Sequence, residues 1–214
     1  MNDAYVCVPL RQYYQTYRDY ARIADFTIDR EAEYARYPEL IIGLEAYLKK
    51  CALQEDLNNE VRIYLILDNE TGDVAAYFGL KAGMVANARD GMPSYEEKRK
   101  IMEEYGAKLL PEVAPGIEIT HFAVNDNYRR RAGRNGRPIR GLGEYFYPMF
   151  IYPIIQEVSE KIGVNMIYLY AAGDERLINY YTKVFDMRTL AENDCYIPLE
   201  PDYDSECTFM YRRI

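Results

Sequence analysis

The sequence predicts an α/β fold in which a mixed central sheet carries helices on both faces. Three observations predict it. The residues before Asn58 show helical periodicity, residues 61 to 80 read as a hairpin, and strand-like and helix-like segments alternate from Gly116 onward.

Tyr5 to Leu10 fits a short strand. Tyr13, Tyr14, Tyr17 and Tyr20 then recur at helical spacing, which predicts a helix with a tyrosine face used for packing or for ligand contact. Pro38 interrupts the next region, and Leu40, Ile41, Leu44, Tyr47, Leu48 and Cys51 mark an amphipathic helix. The period then changes from helical to strand-like. Val61 to Leu67, a turn at Asn69-Glu70-Thr71-Gly72, and Val74 to Leu80 form an antiparallel hairpin. Between Lys81 and Pro115 lies a polar insertion, in which Ser94-Tyr95-Glu96-Glu97 has the capping-box pattern that starts a charged helix towards Lys108. Pro111 and Pro115 end it, and Gly116 to Val124 is the next strand. An arginine-rich loop leads to Gly141-Leu142-Gly143, a long apolar helix from about Glu144 to Lys161, and a strand from Met166 to Ala171. A short helix from Asp174 to Phe185 and strands near Met187 to Leu190 and Cys207 to Arg212 complete the sheet, with residues 193 to 206 as an acidic loop.

A chain of 214 residues can bury a full core as one domain, here 1–214, and no Ser/Gly/Pro-rich linker divides it. Hydrophobic residues make up 49% and charged residues 28%, the balance of a folded soluble protein. The 23 Tyr against 7 Phe and no Trp mean that many apolar surfaces here also carry a hydroxyl. A net charge of −8 argues against broad nucleic-acid or anionic-membrane binding. Cys7, Cys51, Cys195 and Cys207 lack zinc-site spacing and the single His121 cannot complete such a site, so the cysteines read as reduced core thiols and no metal is expected. Neither a membrane span nor a signal-peptide pattern is present, which predicts a cytoplasmic protein.

A strand feeding a glycine turn that opens a helix is a device for holding a diphosphate. Glycines let the backbone approach closely, and the first turn of a helix presents N–H groups with a positive dipole end. Gly141-Leu142-Gly143 fits that device. Arg129, Arg130, Arg131, Arg134, Arg137 and Arg140 crowd the preceding twelve positions with no acid among them, so either an anion binds there or the loop is a solvated basic surface.

From Gly116 to Met187, about a third of the chain, this order of segments resembles the GNAT superfamily of acyl-CoA-dependent N-acetyltransferases. Val124, Tyr128-Arg129 and Gly141-Leu142-Gly143 follow the family's strand-end, Tyr-Arg and glycine-turn order, and Asn179-Tyr180-Tyr181-Thr182-Lys183 through Met187 is similar to its later signature. The sequence departs from the family in three places. Arg130 to Ile139 is inserted between Tyr-Arg and the turn and puts Pro138 at the usual Gln/Arg position, Pro148 and Pro153 fall inside the following helix, and Asp186 replaces a helix-ending Gly.

The resemblance implies the mostly antiparallel acyl-CoA N-acyltransferase sheet, acetyl-CoA or another acyl-CoA as co-substrate, and direct attack by an amine in a ternary complex. It implies Glu118 as general base, with an ordinary exposed strand-end Glu as the alternative, and Tyr181 as proton donor to the departing thiolate, with a core aromatic as the alternative. Phe122, Ala123 and Val124 would hold the pantetheine and polarise the acyl carbonyl through backbone N–H groups. Arg129, Arg137, Arg140, Gly141, Leu142, Gly143, Glu144 and Asn179 would contact the rest of the cofactor. If the strand is regular, Glu118 shares a face with Thr120 and Phe122, and His121 points away and packs. The acceptor is a small-molecule or peptide amine. The segment Pro115-Gly116-Ile117-Glu118 also has a general resemblance to toxin-type members that acylate aminoacyl-tRNA, which would make tRNA the one nucleic-acid partner. A non-catalytic CoA or nucleotide sensor is the rival class. The oligomeric state is open, a homodimer included.

Overall fold

The computed structural model describes residues 4–18, 20–29, 43–87, 113–133, 137–191, 196–198 and 207–214. Residue contacts divide the chain into two compact units: Met1–Lys81 with Glu118–Glu157, and Ala82–Ile117 with Val158–Ile214.

In the first unit β1 (Tyr5–Pro9) runs directly into α1 (Leu10–Tyr17), and a single turn of helix, α2 (Ala21–Ala24), follows. The predicted amphipathic helix divides at Cys51 into α3 (Leu44–Lys50) and α4 (Ala52–Leu57), while Pro38, Leu40 and Ile41 lie outside the described residues. β2 (Arg62–Asp68) and β3 (Val74–Asn87) form the hairpin, and the strand order here is β1-β2-β3-β4, with β4 spanning Val113–Val124. β1/β2 and β2/β3 are antiparallel, pairing Tyr5 with Asp68 and Leu65 with Tyr77. Strand alternation aims Ile63, Leu65 and Leu67 of β2, and an irregularity at Ala75 lets both Val74 and Tyr77 of β3 point, into one core with Leu10, Tyr13, Ile23 and Phe26 and with Tyr47, Leu48 and Ala52 of the helices. On the opposite face Tyr5 meets Phe146 edge-on, with ring centroids 5.0 Å apart. Asp56, fully buried, ties α4 to its neighbours through Arg62 (2.7 Å) and Arg11.

The apolar helix after Gly141 starts as α6 (Leu142–Phe146), widens into a π-helical turn over Tyr147–Ile151, and resumes as α7 (Tyr152–Ile162); α5 is the short helix Asp126–Arg131 before it. The two prolines explain the widening. Pro148 and Pro153 lack N–H groups and cannot complete an α-ladder, and the Tyr152 N–H bonds instead to Tyr147 O, five residues back.

The second unit contains the outer part of β3, the start of β4, β5 (Met166–Ala172), α8 (Glu175–Val184), β6 (Arg188–Thr189), β7 (Tyr196–Pro198) and β8 (Cys207–Arg213). Its strand order is β3-β4-β5-β8-β6, with β7 also on β3, and the β5/β8, β6/β8 and β3/β7 pairs are antiparallel. Tyr168 lies across Gly83 and Gly116. A Cβ on Gly83 would fall 1.9 Å from the Tyr168 hydroxyl and one on Gly116 2.9 Å from its ring, so both strands need glycine there. Asp174 caps α8 by accepting from the Arg176 N–H at 2.8 Å, and Asp186 takes the left-handed conformation (φ 54°) expected of a residue replacing glycine.

Two expectations need correction. The region from Lys81 to Pro115 is not insertion throughout, because β3 continues to Asn87 and β4 begins at Val113; the helix expected from Ser94 lies outside the described residues. The segment 193–206 is not all loop, since β7 pairs with Val85–Asn87. Cys7, Cys51 and Cys207 are half-buried thiols, and Cys195 lies outside the described residues. Among the described residues no helix is long and apolar enough to cross a membrane, and no group of three or more His, Cys, Asp or Glu could hold a metal ion.

Candidate functional site

β4 ends in a polar knot at Asn125, only 1% exposed. Its backbone N–H donates to Ala75 O at 2.9 Å, and its Nδ2 donates to Val74 O at 2.7 Å. Its Oδ1 accepts from Thr27 N (3.2 Å) and, as the cap of α5, from Asn127 N (3.0 Å). Ala75 is the extra residue of a β-bulge opposite Ile66/Leu67, which turns its carbonyl towards Asn125. Sequence reasoning passed over Asn125, although an Asn directly before a short helix is an N-cap signal.

The arginine run is not one anion site. Arg130 pairs with Asp29, Arg131 with Asp25 and with Asp73 (3.2 Å), and Arg129 with Asp126 (2.7 Å). These pairs lace residues 25–29 onto α5. Arg134 lies outside the described residues, and Arg137 and Arg140 are exposed with no ion-pair partner among the described residues.

The insertion closes on itself. Ile139 N donates to Arg129 O at 2.9 Å, and Arg129 Nε donates back to Ile139 O at 3.0 Å. This reciprocal pair brings Tyr128-Arg129 beside Ile139-Arg140-Gly141. Tyr128 is anchored beneath, its hydroxyl donating to Asp68 Oδ2 at 2.7 Å. Gly141 has φ 73°, and a Cβ placed on it would meet only Glu144 Oε2, at 3.8 Å. Among the described residues, the space beside this Cα is therefore not filled. The first helical bond runs from Tyr145 N to Gly141 O, which leaves the N–H groups of Leu142, Gly143 and Glu144 in the first turn without intrahelical acceptors.

On β4, Glu118 is 4% exposed, which rules out the exposed strand-end reading. Ala123 is buried in the helix-side core, and Phe122 and Val124 are half-buried. His121 stacks on Tyr47, with centroids 3.7 Å apart and planes 10° from parallel, and burial lowers its pKa to about 4. Adjacent side chains of a regular strand point apart, yet Thr120 Oγ1 and His121 Nδ1 are 2.9 Å from each other and both border Gly79. The alternation is broken there, so simple parity does not set the face of Glu118 against that of His121.

In the second unit, Tyr181 is 9% exposed and packs edge-on against Phe185 at 5.0 Å. Burial pushes its phenol up to about 12. Asn179, on the same helix, is exposed.

No family model matches the sequence, and no curated protein matches it. Solved structures do. A mutant of KacT is 15% identical with TM-score 0.57, covering 98% of this chain and 95% of that one. AtaTR bound with acetyl-CoA is 17% identical with TM-score 0.58, covering 92% and 95%, and AtaT complexed with acetyl-methionyl-tRNAfMet is 16% identical with TM-score 0.54, covering 92% and 95%. The chain has the GNAT fold. Within that fold the Arg129–Ile139 pair stands before the Gly141 turn, and Pro148 and Pro153 are accommodated by the π-helical turn.

Proposed function

We propose that this chain transfers an acetyl or other short acyl group from acyl-CoA to a primary amine. The reading is carried by the Arg129–Ile139 pair, which joins the Tyr-Arg motif to an open, positive-φ glycine at a helix mouth. The unpartnered N–H groups of Leu142, Gly143 and Glu144, assisted by Arg137 and Arg140, suit the diphosphate of the co-substrate. Arg129, already engaged by Asp126 and Ile139, holds the turn in place rather than gripping the ligand.

Acyl-CoA supplies the thioester. The residues proposed for chemistry are Glu118, which takes the proton from the attacking amine directly or through water, and Tyr181, which gives its proton to the thiolate as the C–S bond breaks. Backbone N–H groups of Phe122, Ala123 and Val124 stabilise the carbonyl oxygen as charge develops on it. Burial supports the first two roles: it keeps Tyr181 protonated at neutral pH, and it shields Glu118 from bulk water. Asn179 is proposed as an outer contact. The proposed chemistry uses no metal, and its proposed setting is the cytoplasm, where acyl-CoA is made.

A second reading, acetylation of aminoacyl-tRNA, is favoured by the likeness to AtaT complexed with acetyl-methionyl-tRNAfMet. The net charge of −8 and the pairing of Arg129, Arg130 and Arg131 with aspartates weigh against a large basic face, so a small-molecule or peptide amine remains first.

The test is release of free thiol from acetyl-CoA across a panel of amines that includes charged tRNA. Glu118→Gln and Tyr181→Phe should each lower kcat by about 10² to 10⁴ with little change in acetyl-CoA affinity. Tight acetyl-CoA binding with no turnover for any amine identifies a sensor instead.

A further inference from the structure

Between α1 and α4 of the first unit runs a groove of about 400 Å³ lined by Arg11, Tyr14, Gln15, Arg18, Tyr20, Leu53 and Leu57. It contains none of the residues assigned above to acyl transfer. Its size suits one or two fused rings rather than a macromolecule.

Its chemistry is amphipathic in one direction. Leu53 and Leu57 supply apolar surface, and Leu57 stands 52% exposed. Tyr14 and Tyr20 have ring centroids 4.5 Å apart and planes 49° from parallel, and Tyr20 remains 58% exposed, so an aromatic face is left for an incoming ring. Burial and the neighbouring Tyr20 raise the Tyr14 pKa, which keeps that hydroxyl a neutral donor.

Both charged residues in the lining are arginines, in a protein of net charge −8. Arg11 is held by Asp56 and, at 3.1 Å, by Asn59 Oδ1. Arg18 has no ion pair or side-chain hydrogen bond among the described residues. Its backbone is also unusual: it closes α1 in the left-handed region (φ 48°, ψ 24°), the place where a helix ordinarily puts glycine. The Arg18 side chain is exposed, and no described residue pairs with its guanidinium.

We propose that this groove binds a small aromatic carboxylate, its ring against Tyr14, Tyr20, Leu53 and Leu57 and its carboxylate on the Arg18 guanidinium. Arg suits that head group because its fork can donate two parallel hydrogen bonds to a carboxylate. Gln15, also in the lining, offers an amide donor.

Calorimetric titration with indole-3-acetate, without acyl-CoA, tests this separately from the acyltransferase reading. Saturable binding in the millimolar range or tighter is expected, weakened at least about tenfold in Arg18→Gln and in Tyr20→Ala, with tryptamine, the cationic counterpart, failing to bind. Arg18→Gly should lose binding without lowering the unfolding midpoint, since glycine relieves the left-handed backbone. No saturable binding, binding unchanged in the Arg18 variants, or equal binding of tryptamine overturns the proposal.

Discussion

Arg129 and Ile139 hold each other twice, Ile139 N to Arg129 O at 2.9 Å and Arg129 Nε to Ile139 O at 3.0 Å. Ten residues apart in sequence, they fix the residues just before the helix mouth at Gly141 against the end of α5. Removing the side-chain half by Arg129→Ala should cost about 1 to 3 kcal/mol of stability, because the Ile139 carbonyl and Asp126 lose a charged donor. The KM for acyl-CoA should rise several-fold more than kcat falls. Steady-state kinetics checks this, and a change confined to kcat would contradict it.

Gly141 and Gly163 form a matched pair. Both have positive φ, 73° and 72°, and a Cβ on Gly163 meets nothing within 4 Å. Alanine at either position should cost about 1 to 2 kcal/mol for the left-handed backbone. Gly141→Ala alone should also weaken acyl-CoA binding, since it alters the turn that presents the helix N–H groups. Denaturant melts and titrations of the two variants side by side separate strain from ligand contact.

Much of this frame was legible beforehand because it is local. The hairpin around Asn69-Gly72 and the left-handed Asp186 each follow from a few neighbouring residues. The arginine run misled because its partners are distant: Asp29 and Asp25 lie 101 and 106 residues from Arg130 and Arg131, and no short-range pattern announces them. β7 was hidden in an acidic stretch because its strand is made by pairing with Val85–Asn87 rather than by its own propensity. Glu118 was placed correctly on its strand, but its burial depends on packing that one sequence does not encode locally.

Tyr168 and Gly83 should show strong coupling. Gly83→Ala brings a Cβ to 1.9 Å from the Tyr168 hydroxyl and should destabilise by about 1 to 3 kcal/mol, as overpacking does. Tyr168→Phe removes the nearest clashing atom, so the double variant should recover part of the loss. Strictly additive penalties in a double-mutant cycle would refute the contact.

His121 predicts an acid limb in stability. Its folded pKa, about 4, lies below its ordinary value of 6.5, so the unfolded chain takes up a proton first as pH falls. The stabilising contribution is complete above about pH 6.5 and is lost progressively as pH falls towards 4, by at most about 3 kcal/mol. His121→Phe should flatten unfolding free energy across that window. An unchanged slope would show that other groups set it.

The most direct test of the account is an amide NMR titration of the isotope-labelled protein with acetyl-CoA. Saturable binding that shifts the N–H resonances of Leu142, Gly143 and Glu144 most strongly, and that raises stability by about 2.7 kcal/mol at 100 times Kd, is the predicted result. Binding that leaves those three amides unmoved, or no binding at millimolar acetyl-CoA, would contradict it.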